Sequence, residues 1–552
     1  MNIGPKVFAN YSISRFVIGI VVVLLIIWAA SPVTVRVVAS TDGNSSTFLL
    51  SDSYKIVLHP IPTNDSSPWA ITVDPHGVVW FLEESANKLG AYDPASGVFS
   101  EYPIPTQGST PTSLTSDSKG DIWLTELNPN KLAELASGSS DIVEYPVPGL
   151  PVSLAGTSQV LGCGPGAVAA DPSGSIWIAC LFSNQIDEFF PSNHTFASFN
   201  LPVFPSAPAG ITLDGRGNLW FTAADADMLG KAVIAQLKNG TSDGITEFAP
   251  INQTYVFEFS QQTSFLGGTT ETKSSLPTPS GIAMDSDGRL WVTEHIDSSF
   301  DSYDPSSGSL VRYWTSQTHG DYGFKVTFPN GIAVARNGTI WIAEHYGNRV
   351  AEFNPSMGQL TEYPASNSSY EAVYQLALDG SGDPWFVEIQ GNAIGELVPT
   401  NDSAPISVTL PTSATEPGSG GSLTIPITFS DPHTASNPTS LSLDTSGISG
   451  TGILQNMTAD YVPSTLSVGP GEEATSSLTL ATKDLSPGVY YLTLTVNASP
   501  QGILYSVILR LTVTGNSWYW LIPAFLTGAG VVALVSLVLW RRRLRRPSSP
   551  LT

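Results

Sequence analysis

The sequence predicts an all-β protein: a seven-bladed β-propeller, then an immunoglobulin-like β-sandwich and a C-terminal transmembrane helix. Three observations predict this: a tryptophan motif that recurs seven times, a change to Ser/Thr-rich alternating segments near residue 400, and an apolar stretch near the C-terminus. The 552 residues are enough for two or three domains. The 49 glycines, 42 prolines and 10 % aromatic residues are typical of turn-rich β-structure.

The repeat is clearest in the stretch from Phe328 to Pro364, where the short runs GIAVA, TIWIAE, RVAEF and LTEYP are separated by turn-forming residues. Four such runs predict one antiparallel sheet without a helix. Alignment on Asp-x-x-Gly-x-φ-Trp, with φ aliphatic (Pro in the last unit), gives one tryptophan per unit: Trp80, Trp123, Trp177, Trp220, Trp291, Trp341 and Trp385. A four-stranded repeat of about 40 to 50 residues is the signature of a propeller, here over residues 54–400.

Within each unit we label the strands A to D, from the Gly-Ile-Ala-Val run to the run that ends in Glu-Tyr-Pro. The D-to-A and B-to-C connections then share one face, which we call the mouth, and three long D-to-A connections gather there: Gly149–Gly164, Ile251–Pro279 and Gln317–Thr327. Long loops on one face favour a binding role. The segment from Tyr54 to Pro62 resembles a D strand and is expected to close the ring, with Ile406 to Pro411 as the rival.

Residues 401–515 lose the tryptophan repeat and read as an immunoglobulin-like stalk. The turn Pro470-Gly-Glu-Glu and the strand after Ser486-Pro-Gly resemble modules of archaeal and bacterial surface proteins.

The two ends of the chain carry apolar segments. Lys6 and Arg15 precede the run from Phe16 to Ala30, so residues 1–39 read as a signal peptide cleaved after Ala39, or as an uncleaved anchor. Trp518 to Trp540 is long enough to span a bilayer, and five arginines follow in residues 541–552. The positive-inside rule predicts a cell-membrane protein with one span, an extracellular ectodomain and a basic cytoplasmic tail.

The ectodomain is strongly acidic. Residues 41–517 carry 47 acidic and 15 basic side chains, a net charge near −32. Such a surface disfavours nucleic acid and suits divalent cations, cationic ligands or solubility. The expected partner is an extracellular ligand or a cell-envelope component. Ten Asn-x-Ser/Thr sites suggest a glycoprotein: Asn44, Asn64, Asn193, Asn239, Asn252, Asn337, Asn367, Asn401, Asn456 and Asn497.

The two cysteines, Cys163 and Cys180, flank the hairpin of the third unit. Pairing about the turn at Asp171-Pro-Ser-Gly174 brings them together at its open end, and an oxidising compartment favours a disulfide. Because no third cysteine or nearby histidine accompanies them, a zinc site is not expected.

Three residues after most of the tryptophans stands a glutamate: Glu83, Glu126, Glu294, Glu344 and Glu388. A base five residues later (Lys88, Lys131, Arg349) predicts ion pairs across the B-to-C turn for three of them. Glu294 and Glu388 lack that partner. Together with Glu344 they are candidate ligands for a divalent ion, Mg²⁺ or Ca²⁺, with His295 and His345 as candidate catalytic bases. Solvated rim groups are the alternative.

The pattern Trp-x-x-Glu, then Asn-Lys/Arg and Glu-Tyr-Pro-φ-Pro, resembles the streptogramin B lyase (virginiamycin B lyase) family of seven-bladed propellers. The resemblance implies Mg-dependent elimination that opens a cyclic depsipeptide, with histidines in Pro-His-Gly/Ala-Ile at late A strands. At the matching positions this sequence reads Pro279-Ser280-Gly-Ile, Pro329-Asn330-Gly-Ile and Tyr374-Gln375-Leu-Ala.

Two functions remain open. The first is a membrane-anchored surface propeller that binds a ligand, glycan or protein at its mouth without changing it. The alternative is a divalent-metal-dependent lyase or lactonase that uses Glu294, Glu344 and Glu388 around the ion and His295 or His345 as base.

Overall fold

The computed structural model describes residues 54–249 and 278–411 with short gaps, much of 414–514, and four isolated strands. Those strands are Thr34–Val38, Ser45–Leu50, Glu258–Phe259 and Lys273–Ser274. The described residues form β-strands joined by turns, with one short 3-10 helix at Ile234–Gln236. No helix among these residues is long and apolar enough to cross a membrane. The predicted segments Phe16–Ala30 and Trp518–Trp540 lie outside the described residues.

Seven four-stranded antiparallel sheets, the blades, follow one another within the described chain. Strand A of each blade contacts strand A of the next, and strand A of blade 7 contacts that of blade 1. The sheets therefore form a closed ring, as the repeat predicts.

The strands of blades 1 to 4, from A to D, have the following bounds. Blade 1 has Pro68–Val73, Val79–Glu83, Lys88–Asp93 and Val98–Pro103; blade 2 has Pro111–Ser116, Ile122–Glu126, Lys131–Leu135 and Ile142–Pro146. Blade 3 has Pro165–Ala170, Ile176–Cys180, Gln185–Phe190 and Thr195–Asn200; blade 4 has Pro208–Leu213, Asn218–Ala223, Met228–Val233 and Ile245–Phe248. An extra hairpin, Leu150–Leu154 with Thr157–Leu161, lies in the long connection to blade 3.

The remaining blades follow the same order. Blade 5 has Pro279–Met284, Leu290–Glu294, Ser299–Asp304 and Ser309–Trp314; blade 6 has Pro329–Val334, Ile340–Glu344, Arg349–Asn354 and Gln359–Pro364. Blade 7 has Val373–Leu378, Pro384–Glu388 and Ala393–Pro399, and its fourth strand is Tyr54–Pro60. The N-terminal strand thus closes the ring, whereas the rival Ile406–Pro411 pairs with Ser45–Leu50 in a separate sheet.

The Asp-x-x-Gly-x-φ-Trp motif builds the A-to-B turn. In blade 1 the Asp74 carboxylate accepts backbone N–H bonds from His76 and Val78, and its second oxygen accepts the Trp80 indole N–H at 3.0 Å. Gly77 has φ +86°, which suits glycine. The indoles fill the space between blades, since Trp177 packs with Leu219 and Phe221 of the next blade.

The Asn-Lys/Arg turn joins neighbouring blades. Asn87 has φ +55°, donates to the Ile104 and Thr106 carbonyls and accepts the Ser109 N–H at 2.9 Å. Asn392 does the same between blades 7 and 1, accepting from Ser66. The repeated asparagine is therefore a bridge between blades as well as a left-handed turn residue.

The C-terminal strands form two further sheets that share one apolar core. One sheet contains Ile406–Pro411, Ser422–Ser430, Ala459–Val462 and Glu473–Ala481; the other contains Thr439–Gly450, Thr465–Val468, Gly488–Ser499 and Ile503–Thr514, with Ala414–Thr415 at its side. Ile503–Thr514 also pairs with the D strand of blade 6, Gln359–Pro364. The region is a β-structure docked on the propeller, and its immunoglobulin-like assignment stays a prediction.

Candidate functional site

Six rings form a continuous row at the mouth, spanning blades 5, 6, 7 and 1. The mouth row consists of Trp69, Tyr374, His345, His295, Phe328 and Tyr346, all of them partly exposed. Its centroid separations are 4.2 Å from Trp69 to Tyr374, 5.0 Å from Tyr374 to His345 and 5.9 Å from His345 to His295. Phe328 lies 5.4 Å from His295, and Tyr346 lies 4.7 Å from both Phe328 and His345.

The repeat explains why these residues meet. Trp69 and Tyr374 are the second residues of their A strands, which begin at the mouth and lie nearest the axis. His295 and His345 follow directly after strands B, which end at the mouth. Equivalent positions of successive blades are neighbours around a ring, so residues far apart in sequence become adjacent.

Both histidines are set up as neutral imidazoles. The Nδ1 of His295 lies 3.2 Å from the Pro329 carbonyl oxygen, which requires a proton on Nδ1 and leaves Nε2 as the acceptor in the neutral ring. Burial lowers the pKa of His295. Burial, together with the neighbouring His295, lowers the pKa of His345 to about 4. Near pH 7 each ring therefore offers an unprotonated nitrogen.

Polar side chains link the inner strands beside this row. The Ser280 hydroxyl donates to the Asn330 Oδ1 at 2.5 Å, and Asn330 Nδ2 donates to the Tyr374 carbonyl at 3.4 Å. Ser280 and Asn330 stand where the family resemblance expects histidines. A Cβ at Gly281 would lie 2.2 Å from the Asn330 carbonyl oxygen, so the glycine after each of these positions allows the strands to approach.

The glutamates that end the B strands are buried among strands of their own blades. Glu83 and Glu126 are 0 % exposed. Glu83 faces Lys88 in the strand register, as predicted, but the ammonium group of Lys88 bonds Glu101 of strand D at 2.6 Å and Thr63 Oγ1 at 2.7 Å. In blade 2, Lys131 bonds Glu144 and Thr106 in the same way. For Glu83 and Glu126 the predicted ion pairs across the turn are therefore corrected: the lysine pairs with the D-strand glutamate.

The expectation that Glu294 lacks a basic partner is wrong. Arg312 Nη2 of strand D lies 3.3 Å from its Oε1 and also holds Asp301 at 2.7 Å. The Arg312 side chain reaches Glu294 from 18 residues away in sequence, a pairing that local spacing does not reveal.

The three candidate ion ligands are buried at the ends of their B strands. Glu344 is buried beside Arg349 and Glu362, and burial first, then the Glu362 carboxylate, raises its pKa. Glu388 is 1 % exposed at the end of its B strand. In the described part of the chain no three of Glu294, Glu344, Glu388, His295 and His345 bring ligand atoms within 4.8 Å of one another. The Mg²⁺ or Ca²⁺ site stays a prediction, whereas His295 and His345 do lie together, with ring centroids 5.9 Å apart.

Blade 3 carries a disulfide at the end of strand B, where five other blades have a glutamate. Cys163 and Cys180 are joined, at the open end of the hairpin. The Asp187 carboxyl group lies within 4.8 Å of the sulfur atoms, and burial raises its pKa to about 7. Because the sulfurs are bonded to each other, the group is not a metal site in this state.

The fold and the mouth row define a class: a seven-bladed β-propeller whose mouth carries aromatic and imidazole side chains. More particularly, its fold is similar to that of streptogramin B lyase. The model of the virginiamycin B lyase family matches residues 48–153. None of the curated proteins compared with the chain matches it.

Two solved structures support this fold. "Streptogramin B lyase structure" is 23 % identical with a TM-score of 0.51, over 63 % of this chain and 100 % of that one. Virginiamycin B lyase from Staphylococcus aureus, selenomethionine-substituted, is 23 % identical with a TM-score of 0.50, over 62 % of this chain and 99 % of that one. At this identity the likeness establishes the fold and leaves the activity to the site itself.

The sequence motifs do not mark Trp69, Tyr374 and Phe328 as members of the mouth row. The signal that could have found two of them is the second residue of each A strand, which is a large aromatic residue at Trp69 and Tyr374.

Proposed function

We propose that the chain is a membrane-anchored cell-surface propeller that binds an extracellular ligand, a glycan or a protein segment, at the mouth row without turning it over. The observation that carries this is the contact between Trp69 and Tyr374, at 4.2 Å, in line with two imidazoles on the loop-rich face. Flat, partly exposed rings offer a large contact area at a small cost in conformational entropy.

The charges near the mouth favour a neutral or cationic ligand. Lys88 and Lys131 form ion pairs with Glu101 and Glu144. The imidazoles are uncharged near pH 7 because their pKa values are lowered. An ectodomain near −32 repels anions at long range. Stacking of a sugar or aromatic face on Trp69, with hydrogen bonds from neutral imidazole nitrogens, fits this environment.

The test is binding of the detergent-solubilised full chain to immobilised neutral, acidic and basic glycans and peptides. We expect Trp69→Ala and Tyr374→Ala each to weaken capture of the preferred probe by at least about tenfold, since one stacking contact contributes on the order of 1.4 kcal/mol. Val98→Ala, on the outer strand of blade 1 and 56 % exposed, is the control. Unchanged capture by both aromatic variants would contradict the mouth as the binding site.

The alternative function is a lyase or lactonase, and one observation favours it: His345 has a lowered pKa, and its buried Nδ1 has no hydrogen-bond partner among the described residues. A neutral imidazole can remove the proton from the carbon beside an ester, and elimination then breaks the C–O bond. Because the described glutamates do not converge on an ion, no step is assigned to a metal.

Incubation of the full chain with virginiamycin B, the substrate named for the related lyase, tests this alternative. Ring opening detected by mass spectrometry and abolished in His345→Ala would support it. An unchanged depsipeptide, with or without added Mg²⁺, would rule out this chemistry.

A further inference from the structure

The N-terminal strand lies beside the last strand of the chain. Thr34–Val38 pairs antiparallel with Ile503–Thr514, in the register Thr34 with Thr514 through Val38 with Arg510. The start of the first strand and the end of the last therefore meet at one end of one sheet. Three residues separate Ala30 from Thr34, and three separate Thr514 from Trp518, so each connection of four peptide steps spans at most about 14 Å.

The first strand completes an edge that blade 6 leaves open. On one side, Ile503–Thr514 pairs with Gly488–Ser499 along nearly its whole length. On the other side, blade 6 covers only Leu504 to Val507, and Thr34–Val38 covers Arg510 to Thr514. Cleavage after Ala39 would remove that strand and expose an unpaired edge, which native sheets avoid.

We propose that the N-terminal apolar segment is retained as a second membrane anchor, which enters the membrane side by side with the C-terminal segment at the sheet end where Thr34 pairs with Thr514. The proposal rests on the membrane anchoring proposed above. Of the two alternatives for residues 1–39, it favours the uncleaved anchor over the signal peptide. Its partner is the lipid bilayer. Phe16–Val33 has 18 residues without a charged side chain, within the length that spans a bilayer.

The basic residues agree with two anchors that cross the membrane in opposite directions. Lys6 and Arg15 precede the first apolar segment, and five arginines follow the second, so both basic clusters lie on the far side of the membrane from the ectodomain. The positive-inside rule places both in the cytoplasm.

The same register orients the mouth. Strand D of blade 6 runs towards the mouth, so its antiparallel partner runs away from it: Leu504 pairs with Glu362 and Val507 with Gln359. Seven further residues carry that strand about 23 Å beyond the base of the blade at about 3.3 Å per residue. The membrane then lies on the side of the A-to-B and C-to-D turns, and the mouth row faces outwards.

The test uses the full chain with an N-terminal and a C-terminal epitope, expressed in its own membrane. We expect one carbonate-resistant species that carries both epitopes, each protected from protease in intact cells. Loss of the N-terminal epitope, with a mature chain that begins near Thr41, would overturn the proposal. Release of the doubly tagged chain by carbonate would overturn the membrane anchoring as well.

A cysteine pair tests the register independently of the tags. In Thr34→Cys/Thr514→Cys the paired residues should form a disulfide, seen as a cross-linked tryptic peptide, and Val38→Cys/Arg510→Cys should do the same. The mismatched pair Thr34→Cys/Arg510→Cys, about 13 Å apart along the strand, is the matched control and should not cross-link. Absence of both in-register cross-links would overturn the proposal.

Discussion

Blade 1 and blade 3 fasten the mouth end of the blade to the incoming D-to-A connection with different chemistry. In blade 1, Lys88 joins Glu101 and Thr63, a residue of the connection from blade 7, beside the buried Glu83. In blade 3, the Cys163–Cys180 disulfide joins strand B to the incoming connection, and Asp187 is buried next to it. Cys180 occupies the position of Glu83 in the repeat, three residues after the tryptophan.

Both blades therefore hold the mouth end of their sheet to the D-to-A connection, blade 1 from Lys88 of strand C and blade 3 from Cys180 of strand B. A covalent bond constrains the unfolded chain, whereas an ion pair acts in the folded state and depends on pH. The blades should therefore differ in how they respond to reduction and to pH.

Breaking the disulfide should have the largest effect. Cys163→Ser/Cys180→Ser releases a link between residues 17 apart, and closing a loop of that size contributes about 3 kcal/mol. Urea denaturation should show this loss of unfolding free energy, and a reducing agent should destabilise the parent chain but not the variant. Equal denaturation midpoints for the parent chain and the variant would show that the disulfide does not stabilise the fold.

Removing the lysine of blade 1 should come next. Lys88→Met leaves Glu101 and Glu83 close together without their cation, and because Lys88 is 30 % exposed the expected cost is about 2 kcal/mol. The double variant Lys88→Met/Glu101→Gln should recover part of this loss. A double variant no more stable than the single one would show that the lysine acts through its alkyl chain.

The buried glutamate should give blade 1 a pH dependence. Burial, with Glu101 adding to it, raises the pKa of Glu83 to about 7. Since this folded-state pKa lies above the model value of 4.5, the folded state binds the proton more tightly, and its stability falls as pH rises from about 4.5 through 7. Glu83→Gln should match the parent at pH 4.5 and exceed it by about 1 to 3 kcal/mol at pH 8. Melting curves across this range would check it, and parallel profiles would contradict it.

Asp187 should give the smallest effect. Burial raises its pKa to about 7, so it is largely protonated below that pH. Asp187→Asn, of similar shape and neutral, should change the melting temperature little at pH 5.5 and raise it above pH 8 as the parent ionises. A large loss at pH 5.5 would show that the carboxyl group makes a hydrogen bond that the amide cannot replace.

The arrangement of the predicted site was harder to infer than the fold. The residues after the B strands were correctly placed at one mouth for His295 and His345, because the strand ends fix their height. The same reasoning predicted that Glu294 and Glu344, one residue earlier, lie beside the histidines at the mouth. In a strand successive side chains point to opposite sides, so Glu294 and Glu344 are buried against strands C and D while the next residues join the mouth row.

The sequence by itself determined the ring of seven sheets and the position of the disulfide, and it narrowed the closing strand to two candidates. Those depend on local turn chemistry, alternation and one tryptophan per unit. Only the tertiary structure decided that Arg312 neutralises Glu294, that Trp69 meets Tyr374 across the ring closure, and that Thr34 pairs with Thr514. Each of these contacts joins residues on different strands or at opposite ends of the chain, so their adjacency follows from closure and sheet register, which no local pattern encodes.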